Sequence, residues 1–440
     1  SAFKRICRWA EHAPATRPTG WGGLIDLGRI DSARSFTLSR PCLYFPTVPK
    51  VVYFFSCLLA LASSSIAPPP SANNPYGLPT GMDDQLLAAM EANYRLDYAA
   101  ADKILDALQQ HAEVHPLVDF GRLLTEWWRL TAAVLEEDKA ASAPMLAMAE
   151  ACLRSSEARI KEGDPTGEAH LVKGATLGLM GRWHIKNHQW MKSYFVGKKA
   201  KASLEKALLI NPLLYDANAG IGIYDYFVAK LPGIVRFIAF TGQKGSPQDG
   251  LDRIDIALKH GRYTLVGTRA ALALVYIRNE TDPTRALDYI DLLLAEYPHS
   301  VFFRSLRMIA LYDLDRPEDL ADEAKLQEKL LKDGEFPSDR AAQVYFTRGL
   351  AHFRAQDWAT ARTDYKQAVK SGNPSDPFTT WAELHLGNIL DITGNRSAAK
   401  RQYKHVKKMT NRWGTARLAD RYLDDPFSPT AGHMVRLLPD

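Results

Sequence analysis

The sequence predicts an all-α fold: a solenoid of about eight helical hairpins, closed by a C-terminal capping helix near Thr415 to Leu423. Three observations carry that expectation. From residue 83 to about 424, amphipathic stretches of similar length alternate with short turns near 95–97, 139–141, 190–192, 231–246, 280–283, 315–317, 356–357 and 394–395. The alternation of β-branched and polar residues that marks a half-buried strand is missing throughout. Finally, Gly349 to Gly387 and Ala361 to Ala399 are both steps of 38, and a fixed period of this size is the sign of stacked supersecondary units.

Residues 1–47 show no sustained period, and Met82 is the first methionine of the chain, so this stretch reads as an unstructured or untranslated leader. Residues 48–62 present Lys50, an apolar run from Val51 to Ala62 and then small residues, the order found in a secretory signal peptide, with cleavage expected after Ala62. That run falls short of the ~20 residues a spanning helix needs. Cys57 does not mark a lipoprotein, because "FFS" precedes it and the apolar run continues past it. The expected location is therefore exported, whether periplasmic, envelope-associated or secreted; translation from Met82 would instead leave a cytoplasmic chain. A linker rich in Pro, Ser and Asn (63–82) leads into the repeat domain (83–424), and a tail (425–440) follows it.

The clearest unit is "VYFTRGLAHFRAQDWATARTDYKQAVKSGNP", Val344 to Pro374. Tyr345, Gly349, Ala361, Tyr365 and Ala368 fall where two antiparallel helices need large and small residues in alternation. Glycine and alanine admit close backbone approach, and tyrosine fills the space beside them. "WAELHLGNILDITGNRSAAKRQYKHV" repeats the pattern with Leu386, Gly387, Ala399 and Tyr403. On these residues the chain resembles the tetratricopeptide repeat (TPR) family. Further likenesses are "ALALVYIRNETDPTRALDYIDLLLAEYP", through Ala286 and Pro298, "YRLDYAAADKILDALQQHAEVHP", through Ala101 and Pro116, and "KKAKASLEKALLINP", through Ala200, Ala207 and Pro212. Arg348 stands where the family prefers leucine, and Leu274 replaces a small residue.

The resemblance covers about four-fifths of the chain and implies a right-handed solenoid whose first helices line a concave groove. Carried onto this sequence, the groove residues are Thr268, Val275, Arg278, Asn279, Gln343, Phe346, Leu350, Arg354, Trp381, Leu384 and Asn388. Their mixture of apolar, amide and cationic groups suits an extended or helical peptide. Phe346 and Leu384 stand where a clamp for a C-terminal carboxylate would need lysine, which argues against a chaperone-tail adaptor.

One stretch breaks the rhythm: "LPGIVRFIAFTGQKGSP", Leu231 to Pro247. A membrane span is excluded, because the twenty residues ending at Phe240 contain Asp225, Lys230, Pro232 and Arg236. The expected structure of this insert (231–246) is a short extra helix opened by Pro232. Its Ile234, Phe237, Ile238 and Phe240 are buried as a plug between hairpins, or form a knob for a partner. Ser246 is expected to cap the next helix, with Pro247 as its first residue and Asp249 completing a capping box. With "GIGIYDYFVAKLPGIVRFIAFTGQKGSPQDGLDRIDIALKHG", residues 220–299 are also similar to the inclusion-body-clearance family of TPR-like proteins.

The formal charge of +5 sits in the leader, where residues 1–62 carry eight Lys or Arg against three acids. The remaining chain has equal numbers of each sign, so no nucleic-acid partner is expected. Charge is uneven along it: twelve acids and four bases between Asp83 and Asp138, nine bases and one acid between Arg396 and Arg421. That contrast reads as solvated faces, head-to-tail contact or docking on an anionic surface. Only Cys152 lies beyond the leader, so no internal disulfide forms there, and a buried apolar role is expected.

Few residues point to chemistry. His184 and His188 have the i, i+4 spacing of a metal pair but lack a third ligand, and no metal site or cofactor is expected. "TGQKGS" fails the spacing of a phosphate loop, and no nucleophile elbow or dinucleotide fingerprint occurs. The expected function is a non-enzymatic scaffold that binds another protein or peptide in its groove. The alternative is peripheral association with an anionic membrane through 396–421 and through 182–206, where seven bases and one acid are interleaved with Trp183, Trp190, Tyr194 and Phe195. Oligomeric state is left open by the sequence.

Overall fold

The computed structural model describes residues 75–79, 81–111, 115–133, 140–230, 246–409 and 414–429. The chain divides into two units, Ser1–Ser64 and Ser65–Asp440, and every described residue belongs to the second. The leader, the signal sequence and the insert with Ile234, Phe237, Ile238 and Phe240 lie outside the described residues. Among those described there is no strand.

The helices are α1 (Met82–Tyr94), α2 (Tyr98–His111), α3 (Pro116–Ala133), α4 (Ala143–Lys161), α5 (Glu168–Lys186), α6 (Trp190–Ile210), α7 (Ala217–Lys230), α8 (Pro247–His260) and α9 (Leu265–Val275). There follow α10 (Pro283–Glu296), α11 (Val301–Asp313), α12 (Pro317–Lys332), α13 (Ala341–Arg354), α14 (Trp358–Ser371), α15 (Pro377–Ile392), α16 (Arg396–Val406) and α17 (Thr415–Asp424). Each packs on the next in sequence. A second row of contacts joins odd-numbered helices, from α1 through α7 and again from α9 through α17.

One turn chemistry recurs. Leu96, His188, Asp315 and Gln356 adopt left-handed φ between 56° and 67°, and Gly394 does so at 78°. In each case the following amide reaches back five residues: Asp97 N–H donates to the Ala92 carbonyl (2.9 Å), Asp357 N–H to that of His352 (2.9 Å), and Asn395 N–H to that of Leu390 (2.8 Å). This closes a Schellman motif. Asp97, Asp357 and Asn395 then cap the next helix, accepting from Ala100, Thr360 and Ala398 amides at 3.0, 3.1 and 3.2 Å. One short segment therefore ends a helix, reverses the chain and starts its antiparallel partner.

Helix crossings follow the small-residue pattern. A Cβ on Gly349 would lie 2.6 Å from the Tyr365 ring, and one on Gly387 would lie 2.5 Å from that of Tyr403. Ala101, Ala207, Ala286, Ala361 and Ala399 are fully buried. Arg348 has a partner in the next helix: its Nε donates to the buried Asp364 carboxylate (2.8 Å), which also bonds His352 Nδ1 (2.7 Å). The capping box forms as expected, with Asp249 N–H on Ser246 Oγ and Ser246 N–H on Asp249 Oδ2, both 3.0 Å. Gly250 is required there, because a Cβ would come 2.7 Å from Tyr226 N and 2.8 Å from Gly222 O across the α7–α8 crossing. Cys152 is buried, and that burial pushes its thiol up to about 12.

Contacts also join hairpins far apart in sequence. Trp128 of α3 meets Phe302 and Phe303 of α11 (5.9 and 6.2 Å), and Tyr94 of α1 meets Tyr297 (5.3 Å), whose hydroxyl donates to Glu91 (2.8 Å). Asp216 gathers Tyr76 and the amides of Arg262, Tyr263 and Thr264, while Arg262 and Tyr263 also hold Asp83. The first hairpin thus rests on the middle of the chain. A stack with only nearest-neighbour contacts would lack these interactions.

Candidate interaction surface

The residues expected to line a groove are for the most part inside the core. Thr268, Val275, Gln343, Phe346, Leu350, Trp381, Leu384 and Asn388 are all buried. The cause is register: the odd-numbered helices turn these positions toward one another and toward their hairpin partners. Phe346 packs on Tyr365, Phe378 and His385 at 5.8–6.0 Å, and Asn388 Oδ1 accepts from Tyr403 Oη at 3.0 Å. Arg354 has a side chain only 3% exposed, 3.9 Å over the Tyr312 ring and 3.5 Å from Asp315. Arg278 and Asn279 alone of the set are exposed, in the π-helical turn Tyr276–Glu280 that follows α9. The groove assignment is corrected accordingly, since a buried side chain cannot meet a partner.

At the centre of this buried set lies His385. Rings of Tyr312, Phe346, Phe353, Tyr365 and Trp381 enclose it at 4.8–6.1 Å. Neither ring nitrogen has a hydrogen-bond partner among the described residues, and burial, with Arg354 adding to it, pushes its pKa down to about 3.

The exposed surface offers a different site. Large apolar side chains stand out on α5, α6 and α7: Ile185, Trp190 (62% exposed), Met191, Phe195 (55%), Leu209 and Phe227. The inner face of α6 is anchored by buried Ala200, Leu204 and Ala207, by Ser193 Oγ on the Gly181 carbonyl (2.9 Å), and by Lys201 Nζ on Asp225 (2.6 Å). Its outer face is thereby held in place. There Met191 and Phe195 stand among exposed Lys192, Lys198, Lys199 and Lys206, none of which forms an ion pair among the described residues. Trp183 of the same stretch is buried, against the α3–α4 core.

In the basic segment 396–421, Arg396 is structural: it donates to both Asp391 oxygens (3.0 Å) and to the Leu423 carbonyl (2.8 Å), and Lys407 pairs with Asp420. Lys400, Arg401, Lys404 and Lys408 stay exposed. His184 and His188 do not share a helix face, because His188 sits beyond α5 with φ 56°, while His184 Nδ1 bonds Gln189 (2.8 Å). Among the described residues no group of His, Cys, Asp and Glu is arranged to hold a metal, and no helix is long and apolar enough to cross a membrane.

No protein-family model matches the chain. No curated protein matches it either. Among solved structures it is similar to a human IFIT1 dimer with m7Gppp-AAAA, at 18% identity over 76% of this chain and 70% of that one, TM-score 0.34. It is also similar to a monomeric IFIT1 mutant with Gppp-AAAA, at 17% identity over 75% and 74%, TM-score 0.35. A human IFIT1 dimer with PPP-AAAA gives 17% over 74% and 71%, TM-score 0.34. The superpositions are loose, and the all-α assignment rests on the helices themselves. The expectation of no nucleic-acid partner is corrected, because chains of this likeness were solved with capped or triphosphate RNA. The flaw lies in the physics of a net charge: phosphates are met by local clusters of cations, which an average over the chain conceals.

Proposed function

We propose that the chain is a non-catalytic, TPR-like right-handed solenoid of about eight hairpins that holds another protein, docked on the outer face of α5 and α6 instead of in a groove. The observation that carries this reading is the concentration of exposed apolar side chains between Ile185 and Phe227, beside Lys192, Lys198, Lys199 and Lys206, which form no ion pair among the described residues. An acidic amphipathic segment fits such a face: its apolar side cancels the exposure of Met191 and Phe195, and its carboxylates meet Lys192, Lys198 and Lys199.

The test is affinity capture from the native source with the wild type and with Met191→Glu/Phe195→Glu. A protein retained by the wild type and lost by an equally stable variant supports the docking face. Equal capture by both sinks it.

A second reading, favoured by Trp190 and Phe195 standing between lysines, is an anionic membrane surface as the occupant of the same face. Flotation with anionic vesicles at low and high salt separates the two, because only the membrane reading brings the protein to the top of the gradient at low salt. We also propose export, with a mature chain beginning at Ser63 or within a few residues of it. An intact mass starting at Met82 would overturn that.

A further inference from the structure

The outer helices of the last two hairpins carry matching rows of charge. Arg362, Lys366 and Lys370 recur every four residues on α14; Lys400, Lys404 and Lys408 do so on α16 and just past its end. Each of the second set lies 38 residues after its counterpart, the step that separates Gly349 from Gly387. All six are exposed, while Ala361, Tyr365 and Ala368 on α14 and Ala399, Tyr403 and Val406 on α16 are buried, so the rows face away from the core. Arg401 adds another exposed cation.

None of these side chains forms an ion pair among the described residues. The acid within α14 is Asp364, which is buried and held by Arg348 and His352, and α16 contains no acid. On α12 the pattern differs: Lys325, Lys329 and Lys332 pair with Asp322, Asp333 and Glu328. On α6 the lysines without an ion pair among the described residues stand among exposed apolar side chains, so what sets the last two hairpins apart is cations repeated at the 38-residue step with no such side chain beside them.

We propose that this double row is a docking surface for the phosphate backbone of a nucleic acid. Cations four residues apart advance ~6 Å per step along a helix, which suits a polyanion whose charges are themselves regularly spaced. Two other occupants fit less well. None of the exposed large apolar side chains lies on α14 or α16, so the face has nothing to insert into a bilayer. A second copy docking through its acidic N-terminal part would meet several carboxylates that are already paired among the described residues: Asp83 with Arg262, Asp106 with Arg122, Asp102 and Glu126 with Arg129. Contacts of this kind read phosphates and not bases, so binding is indifferent to sequence.

Fluorescence anisotropy of a short labelled DNA duplex, titrated with the full chain at rising KCl, tests the proposal. Each neutralised phosphate contributes a slope of about −0.9 to log K against log salt, so Lys400→Gln/Lys404→Gln/Lys408→Gln makes the slope shallower by about 2.7 and weakens binding to unrelated duplexes alike. Lys325→Gln/Lys329→Gln/Lys332→Gln, which removes as many lysines from paired positions, leaves the slope unchanged. Both triple variants alter exposed side chains, and a thermal melt verifies that each is folded. No binding at low salt, an equal slope for the wild type and the α16 variant, or capture of phosphatidylglycerol vesicles through these lysines without binding of the duplex overturns it.

Discussion

The Tyr365 ring occupies the volume that a Cβ on Gly349 would need, with Cε1 2.6 Å from that position, and Tyr403 stands in the same relation to Gly387 one repeat later. Both rings are fully buried and have no room to withdraw. Gly349→Val is expected to lower stability by about 1 to 3 kcal/mol through overpacking, and Ala361→Leu by a similar amount. Gly178, in α5, has nothing within 4 Å of its would-be Cβ, so Gly178→Ala is expected to raise stability by about 1 kcal/mol from helix propensity. Urea denaturation of the three variants should give these opposite signs.

The left-handed turns predict a second contrast. Gln356 holds φ 62° with a side chain that disfavours it, whereas Gly394 holds the equivalent place at no such cost. Gln356→Gly is expected to stabilise by up to about 1 kcal/mol, with the relief of strain partly offset by greater unfolded-state freedom. Gly394→Ala is expected to destabilise by about 1 kcal/mol from backbone strain alone, since its Cβ meets no neighbour. Identical melting of wild type and both variants would show that the turns are not strained.

Acidification should act through His385. Its folded pKa lies near 3 against an ordinary 6.5, so the unfolded chain binds the proton first as pH falls. Its neutral burial is without this penalty above pH 6.5, and stability is lost progressively between 6.5 and 3. By pH 5 the loss from this group is about 2 kcal/mol. His385→Phe removes the titration, so stability measured from pH 7 to 5 should fall less in the variant by about that amount. Parallel curves for the two proteins would contradict the assignment.

Glu323 is wholly buried between Arg304 and Arg307, at 2.8 and 2.9 Å, and accepts from Gln327 at 2.9 Å. Glu323→Ala leaves the buried Arg304 guanidinium without its carboxylate at the junction of α11 and α12, while Arg307 keeps Asp291 at 3.3 Å. A loss of about 3 to 5 kcal/mol is expected. The effect should persist at high salt because the pair is shielded from solvent. A loss that disappears in 1 M salt would mean that the network is solvated.

Helix identity, the intra-hairpin turns and the small-residue crossings were legible in the sequence because each depends on residues close together in the chain. Examples are the spacing of Gly349 and Tyr365, the capping box of Ser246 and Asp249, and the polar turn before Asp357. The charge rows on α14 and α16 repeat at the same 38-residue step as the glycines, but a sum of charges hides them and their exposure is set by the packing of the helices. What only the tertiary structure decided is which side of each helix is covered. A first-helix position such as Phe346 or Trp381 has the same local pattern whether it faces a groove or a core. The covering side chains come from elsewhere: His385 of the next hairpin on Phe346, Tyr312 of the one before on Arg354, and, from another hairpin far back in the chain, Trp128 against Phe303. Burial is a property of the sum of long-range contacts, so the periodicity of one helix determines its faces but not which of them meets water.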